Sequence, residues 1–206
     1  MGLDYSYMLY FKRERLADVL MGVADISEPH HPPTQIHFPD HVLTIPLGKL
    51  LPFPEDNVYQ YDDAELTFDN VLIFDEDEAI ADWGHGQEID NSVHLPPDLD
   101  YIRPLSVGYI YLTVYNDLSI YSPEIKLELK DLVLFDFGTT GTRMSLMFRN
   151  STSIRKTFIE LLRRFHGVCG LFSDEEKGEV FWLDGKEVRG FVDDIWTSPE
   201  EISRML

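Results

Sequence analysis

Four of the seven histidines fall within one twelve-residue stretch, His30, His31, His37 and His41, with Asp40 beside the last. Neutral imidazoles joined by a carboxylate are a donor set for zinc and related divalent metals. A second pair, His85 and His94, lies among Asp82, Glu88 and Asp90. His37, His41 and His85, with their neighbouring carboxylates, are therefore the candidates for a small metal-dependent enzyme. The spacing argues the other way. Structural zinc ligands come from a tight knuckle or from adjacent turns of a helix, and Pro29, Pro32, Pro33 and Pro39 break up this stretch. An exposed loop is the simpler expectation, and no metal or cofactor is assigned.

Gly138 and Gly141 frame the hydroxyls of Thr139, Thr140 and Thr142, just after Asp136. A glycine turn that exposes backbone N–H groups and hydroxyls suits a phosphate, and a preceding aspartate suits its metal ion. The string Phe135-Asp136-Phe137-Gly138-Thr139-Thr140-Gly141-Thr142 resembles the first phosphate-binding hairpin of the sugar-kinase, actin and chaperone ATPase superfamily. That resemblance implies nucleotide binding at Asp136–Thr142. It covers eight residues, with no second glycine-rich loop of matching form, and ranks third among the functional readings. Asp136-Phe137-Gly138 also spells the metal-binding triplet of protein kinases, but neither of its companion motifs occurs. Asp75-Glu76-Asp77-Glu78 lacks the alternating ligands and central glycine of an EF-hand loop. Cys169 is the one cysteine, which excludes an intrachain disulfide; set between Val168 and Gly170-Leu171-Phe172, it reads as a small buried apolar residue.

Charge is the most unequal property of the chain. The formal net charge is −20, and fifteen of the thirty-seven acidic residues lie between Lys49 and Arg103, where no lysine or arginine occurs. Such a field repels phosphate backbones and anionic membranes and attracts cationic partners. Nucleic acid and membrane are therefore excluded as partners. The window is no solvated tail, because Tyr59, Tyr61, Leu66, Phe68, Val71, Ile73 and Phe74 interleave with its carboxylates. The favoured reading is a non-catalytic protein-binding module whose surface at about 55–100 engages a basic partner, by analogy of charge and size with proteins that neutralise basic toxins. Its candidate contacts are Tyr59, Tyr61, Asp62, Asp63, Asp75, Glu76, Asp77, Glu78 and Trp83.

These residues need elements to position them. Leu16, Val19, Leu20 and Val23 recur at helical spacing and predict a helix at about 13–25; Ile154, Phe158, Leu161, Leu162 and Phe165 predict a second at about 152–166, closed by Gly167. Ser198-Pro199-Glu200-Glu201 opens a short C-terminal helix, and residues 76–83 allow another. Strands are expected at 5–11, 42–45, 66–69, 107–115, 118–121, 125–129 and 132–137. Asp184-Gly185-Lys186 joins a hairpin between 180–183 and 187–189. Leu146-Met147-Phe148-Arg149 reads as an apolar strand that echoes Leu9-Tyr10-Phe11-Lys12, more simply by chance than by duplication. The expected fold is a single α+β domain, 1–206, with a largely antiparallel sheet of many short strands and an acidic segment at about 50–102. Met1–Tyr5 has no signal-peptide character and no apolar run approaches the ~18–20 residues of a bilayer span, so a cytoplasmic protein is expected.

Overall fold

A computed structural model describes residues 4–50, 57–84, 104–118, 131–139, 141–174, 177–195 and 197–206. In chain order the strands are β1 (Ser6–Lys12), β2 (Thr34–His37), β3 (Val42–Ile45), β4 (Gly48–Lys49), β5 (Val58–Gln60), β6 (Glu65–Asp75), β7 (Pro104–Tyr115), β8 (Leu132–Thr139), β9 (Cys169–Ser173), β10 (Gly178–Leu183) and β11 (Lys186–Val192). The helices are α1 (Leu16–Asp25), α2 (Glu78–Gly84), α3 (Thr142–Asn150), α4 (Thr152–Arg164) and α5 (Pro199–Met205). The fold is α+β. Eight strands form one antiparallel sheet in the order β11-β10-β9-β1-β8-β7-β6-β4, and β3-β2-β5 make a small second sheet.

Strand alternation gives the large sheet two different faces. The first carries Tyr7, Leu9 and Phe11 of β1, Phe135 and Phe137 of β8, and Leu66, Phe68, Leu72 and Phe74 of β6, all buried in the main core. The apolar stripes of α1 and α4 close over it, with Phe158 of α4 at its centre. The Phe158 ring lies 4.7 Å from both Tyr7 and Phe137, within the range of favourable ring contacts. The second face buries Met8, Tyr10, Leu134, Cys169, Leu171, Val180 and Val192 under Ile202 of α5. Toward β7 and β6 that same face turns polar.

Local chemistry explains most boundaries. The Ser151 side chain accepts from the Ile154 N–H and starts α4, and Ser198 does the same for Glu201 in α5. Asp184 and Gly185 take φ values of 47° and 82°, the left-handed pair that a two-residue hairpin between β10 and β11 requires. Glu65 to Asp75 alternates exposed or half-buried with buried residues over its whole length, so the strand read at 66–69 extends to eleven residues.

Three expectations fail, the first being the exposed loop at 30–41: Thr34 to His37 form β2, with Thr34 and Ile36 buried, because the stretch pairs with β3 and β5. Leu146 to Arg149 belongs to α3 and is helical, because Met144, Met147 and Phe148 bury one helical side while Leu146 and Arg149 stay outside. The echo of Leu9–Lys12, which is strand, is therefore not a repeated unit. At the end of α4 the left-handed residue is His166, with φ 55°, and Gly167 follows it. Gly167 donates to the Leu162 carbonyl and sits so close that an added Cβ would lie 2.2 Å from Leu162 Cδ2. The strands read at 118–121 and 125–129 fall mostly or wholly outside the described residues.

Candidate functional site: an acidic and aromatic sheet face

The polar half of the second face is built by register. Glu65 pairs with Tyr115, Thr67 with Thr113 and Asp69 with Tyr111 across β6 and β7. One strand further, Tyr115 pairs with Leu134, Thr113 with Asp136 and Tyr111 with Gly138; then Asp136 pairs with Met8 and Gly138 with Ser6 on β1. Because paired residues point the same way, Glu65, Asp69 and Asp136 share one surface with Tyr111, Thr113, Tyr115 and Ser6. Glu65 and Asp69 are exposed; the others are half-buried. Neighbouring strands lie ~4.8 Å apart, so the three carboxylates fall within about 10–15 Å of one another around two tyrosine rings.

Electrostatics confirm that these groups sense each other. Burial first, then the charges of Asp136 and Glu65, push the Tyr115 hydroxyl up to about 12, while a hydrogen bond with Thr113 opposes the shift. Burial pushes the Asp136 carboxyl up to about 6, opposed by a hydrogen bond from Ser6. Its Oδ1 is buried without a hydrogen-bond partner among the described residues. An acceptor left unmet in this way carries a desolvation cost; among the described residues both amide atoms of Asn70 and Asn116 Oδ1 share that state, but Asp136 alone of the three is a carboxylate on the partly open face.

The acidic residues singled out from sequence divide between the two ends of β6. Asp62 and Asp63 lie in the turn before it, where Asp63 accepts from the Gln60 N–H at 2.8 Å. Asp75, Glu76, Asp77 and Glu78 lie at its far end, about 33 Å along the strand at ~3.3 Å per residue. Asp75, Glu76 and Glu78 are exposed. Asp77 turns inward: it accepts from the Ile80 N–H at the start of α2, and from Ser151 Oγ, Thr152 Oγ1 and the Ser153 N–H at the start of α4. Burial pushes its pKa up, but these four bonds together outweigh burial and hold the carboxyl below the usual carboxylate range. Tyr59 is buried, its hydroxyl donating to the Thr67 carbonyl at 2.8 Å and accepting from the Thr67 N–H at 3.0 Å. Tyr61 is exposed beside Phe38. Trp83 lies in α2, and His85 falls outside the described residues.

None of these acids is neutralised by an ion pair among the described residues. The helical arginines turn elsewhere: Arg155 to Glu179, Arg163 to Glu187 and Arg164 to Asp25, at 2.8–2.9 Å. Among the described residues, Arg143 reaches the backbone carbonyl of Asp82 and not its carboxylate.

The other candidates are placed as follows. His37 ends β2, and His41 bonds Asp40 at 2.7 Å while its ring stacks on Phe38 at 4.8 Å. Among the described residues no three His, Cys, Asp or Glu side chains are grouped to hold a metal. Phe38, His41 and Tyr61 line an open groove of about 690 Å³ together with Lys12, Arg13 and Asp131. In the Asp136–Thr142 string, Asp136 points onto the sheet face, and the Thr139 hydroxyl is buried against the Tyr5 carbonyl and Ser145. Gly141, with φ 99°, carries the chain into α3. The Cys169 thiol is buried and pushed up to about 12, first by burial and then by Asp184. No described helix is long and apolar enough to cross a membrane.

The residues missed in the sequence are Glu65, Asp69, Tyr111, Thr113, Tyr115 and Ser6. Their signal was present as the alternation Tyr111-Leu112-Thr113-Val114-Tyr115 beside Glu65-Leu66-Thr67-Phe68-Asp69, but only pairing register joins them. No protein family, curated protein or solved structure matches the chain.

Proposed function

We propose that the protein is a non-catalytic binding module that meets a basic protein partner on the second face of its large sheet. The observation that carries this reading is the pair of outward carboxylates Glu65 and Asp69 on β6, set beside Tyr115 and Tyr111, with Asp75 further along the same face beyond Val71 and Ile73; none is paired by a described cation. Tyrosines supply broad, rigid contact area, and unneutralised carboxylates supply long-range attraction and selectivity against acidic competitors. Glu76 and Glu78 extend the acidic rim past the end of β6, and Asp62 and Tyr61 extend it past the other end. Asp77 and Tyr59 support the surface from behind and are not contacts.

The test immobilises the protein and passes soluble cell extract over it at about 50 mM salt. A variant carrying Glu65→Gln, Asp69→Asn, Asp75→Asn, Glu76→Gln and Glu78→Gln runs alongside. Basic proteins retained by the native chain, lost by the variant and eluted by about 300 mM salt support the reading. Equal retention by both proteins rejects it.

A further inference from the structure

Among the described residues, Asp136 is the one carboxylate of the face that lies inside rather than on the rim. It occupies the middle of β8, between Met8 of β1 and Thr113 of β7. Its diagonal neighbours on β7 are Tyr111 and Tyr115, at ~7–8 Å between backbone positions, within reach of both rings. Gly138 and Ser6 leave low ground on one side. One carboxyl oxygen takes the Ser6 hydroxyl, and Oδ1 takes nothing among the described residues. The residue nevertheless keeps part of its surface open, and its carboxyl has two-fold rotational freedom, so an oxygen can turn to an incoming donor.

We propose that Asp136 is the specificity centre of the face: it receives a guanidinium group of the basic partner, an arginine side chain laid between Tyr111 and Tyr115. The inference rests on the binding reading above and goes beyond it. A planar cation with several N–H donors satisfies the idle oxygen and stacks on aromatic rings, which a compact ammonium does less well. Carboxylate and guanidinium form a charge-assisted pair that strengthens where water is excluded.

The same geometry links binding to a proton. Facing Asp136 are Tyr10 on β1, Tyr111 and Tyr115 on β7, Cys169 on β9 and, one strand out, Glu65 and Asp69 on β6; Lys12 lies at the far end of β1. No described arginine or lysine contributes to its electrostatics, and its carboxyl is raised to about 6 by burial. The neutral acid must release its proton to solvent before it pairs with a cation. Affinity therefore rises as pH climbs through 6 and levels off above it. With a midpoint of about 6, the gain from pH 5.0 to 7.5 is about tenfold.

The probe is an acetylated, amidated tri-arginine peptide, with tri-lysine as its comparison, titrated by calorimetry at both pH values in two buffers of different ionisation enthalpy. For the native chain the expected results are tighter binding of tri-arginine than of tri-lysine, about tenfold tighter binding at pH 7.5 than at pH 5.0, and release of up to one proton. Asp136→Asn should weaken tri-arginine about tenfold at pH 7.5 and flatten the pH profile. Ser6→Ala keeps the carboxylate and should move the midpoint upward, because it removes the bond that opposes the shift. The pair Glu65→Gln and Asp69→Asn should weaken both peptides alike at each pH. If Asp136→Asn keeps native affinity and pH profile while the rim pair loses binding, Asp136 is overturned and the acidic face stands. If the native chain binds neither peptide at millimolar concentration, both readings fall.

Discussion

Asp136 and Asp77 are two aspartates that the fold treats in opposite ways. Asp136 sits on the sheet with one oxygen idle and its carboxyl pKa pushed up by burial to about 6, against an ordinary value of 3.8. A raised carboxyl holds its proton more tightly when folded, so it adds no penalty at pH below about 4. The penalty grows as pH rises through 4 to 6 and is constant above, on the order of 2–3 kcal/mol. Asp136→Asn should therefore raise the urea midpoint at pH 8 and leave it nearly unchanged at pH 4, measured by equilibrium unfolding at each pH. Asp77 is held low by four hydrogen bonds, so its stabilisation is present at neutral pH and is lost as pH falls through its depressed value. Asp77→Ala should cost about 2 kcal/mol at pH 7, since the N–H donors of two helix starts lose their shared acceptor together. An unchanged unfolding midpoint for that variant contradicts the capping account.

At the scale of elements, α4 and β6 decide whether the face exists at all. The rings of Phe158 and of its neighbours Tyr7 and Phe137 tie α4 to the centre of the sheet. Phe158→Ala should cost about 3–5 kcal/mol through lost burial and the cavity left behind, read from denaturant unfolding. The paired strands β6 and β7 hold their alternation through a bulge between Asn70 and Leu72, so Glu65, Thr67 and Asp69 stay in register with Tyr115, Thr113 and Tyr111. The Asp184-Gly185 turn plays the same local role for β10 and β11. There Gly185→Val should destabilise by about 1–2 kcal/mol, because a β-branched residue does not accept φ 82°.

At the scale of the whole molecule, the charge of −20 is organised by the sheet. One face is sealed by α1 and α4, and the arginines of α4 pair with Asp25 of α1, Glu179 and Glu187, while the carboxylates of β6 are left to solvent. Association with a basic partner should therefore slow at least about tenfold between 20 and 200 mM salt, measured by stopped-flow mixing. An association rate indifferent to salt contradicts an electrostatic role for this face.

Helices α1, α4 and α5, the hairpin at Asp184-Gly185 and the α+β class were legible in the chain, because each rests on contacts within a few residues: apolar spacing, caps and turn preferences. Leu146 to Arg149 was misread because four apolar and basic residues carry too little periodicity to separate strand from helix. The acidic window was legible as composition, yet its own sequence could not say that Asp77 turns inward or that Tyr59 is buried. Those outcomes depend on partners 74 to 76 residues away at the start of α4, and on the Thr67 backbone. The grouping of Glu65, Asp69 and Asp136 with Tyr111 and Tyr115 was decided by tertiary structure alone, since strand register is a long-range pairing and a shift of one residue would have sent every one of these side chains to the opposite face.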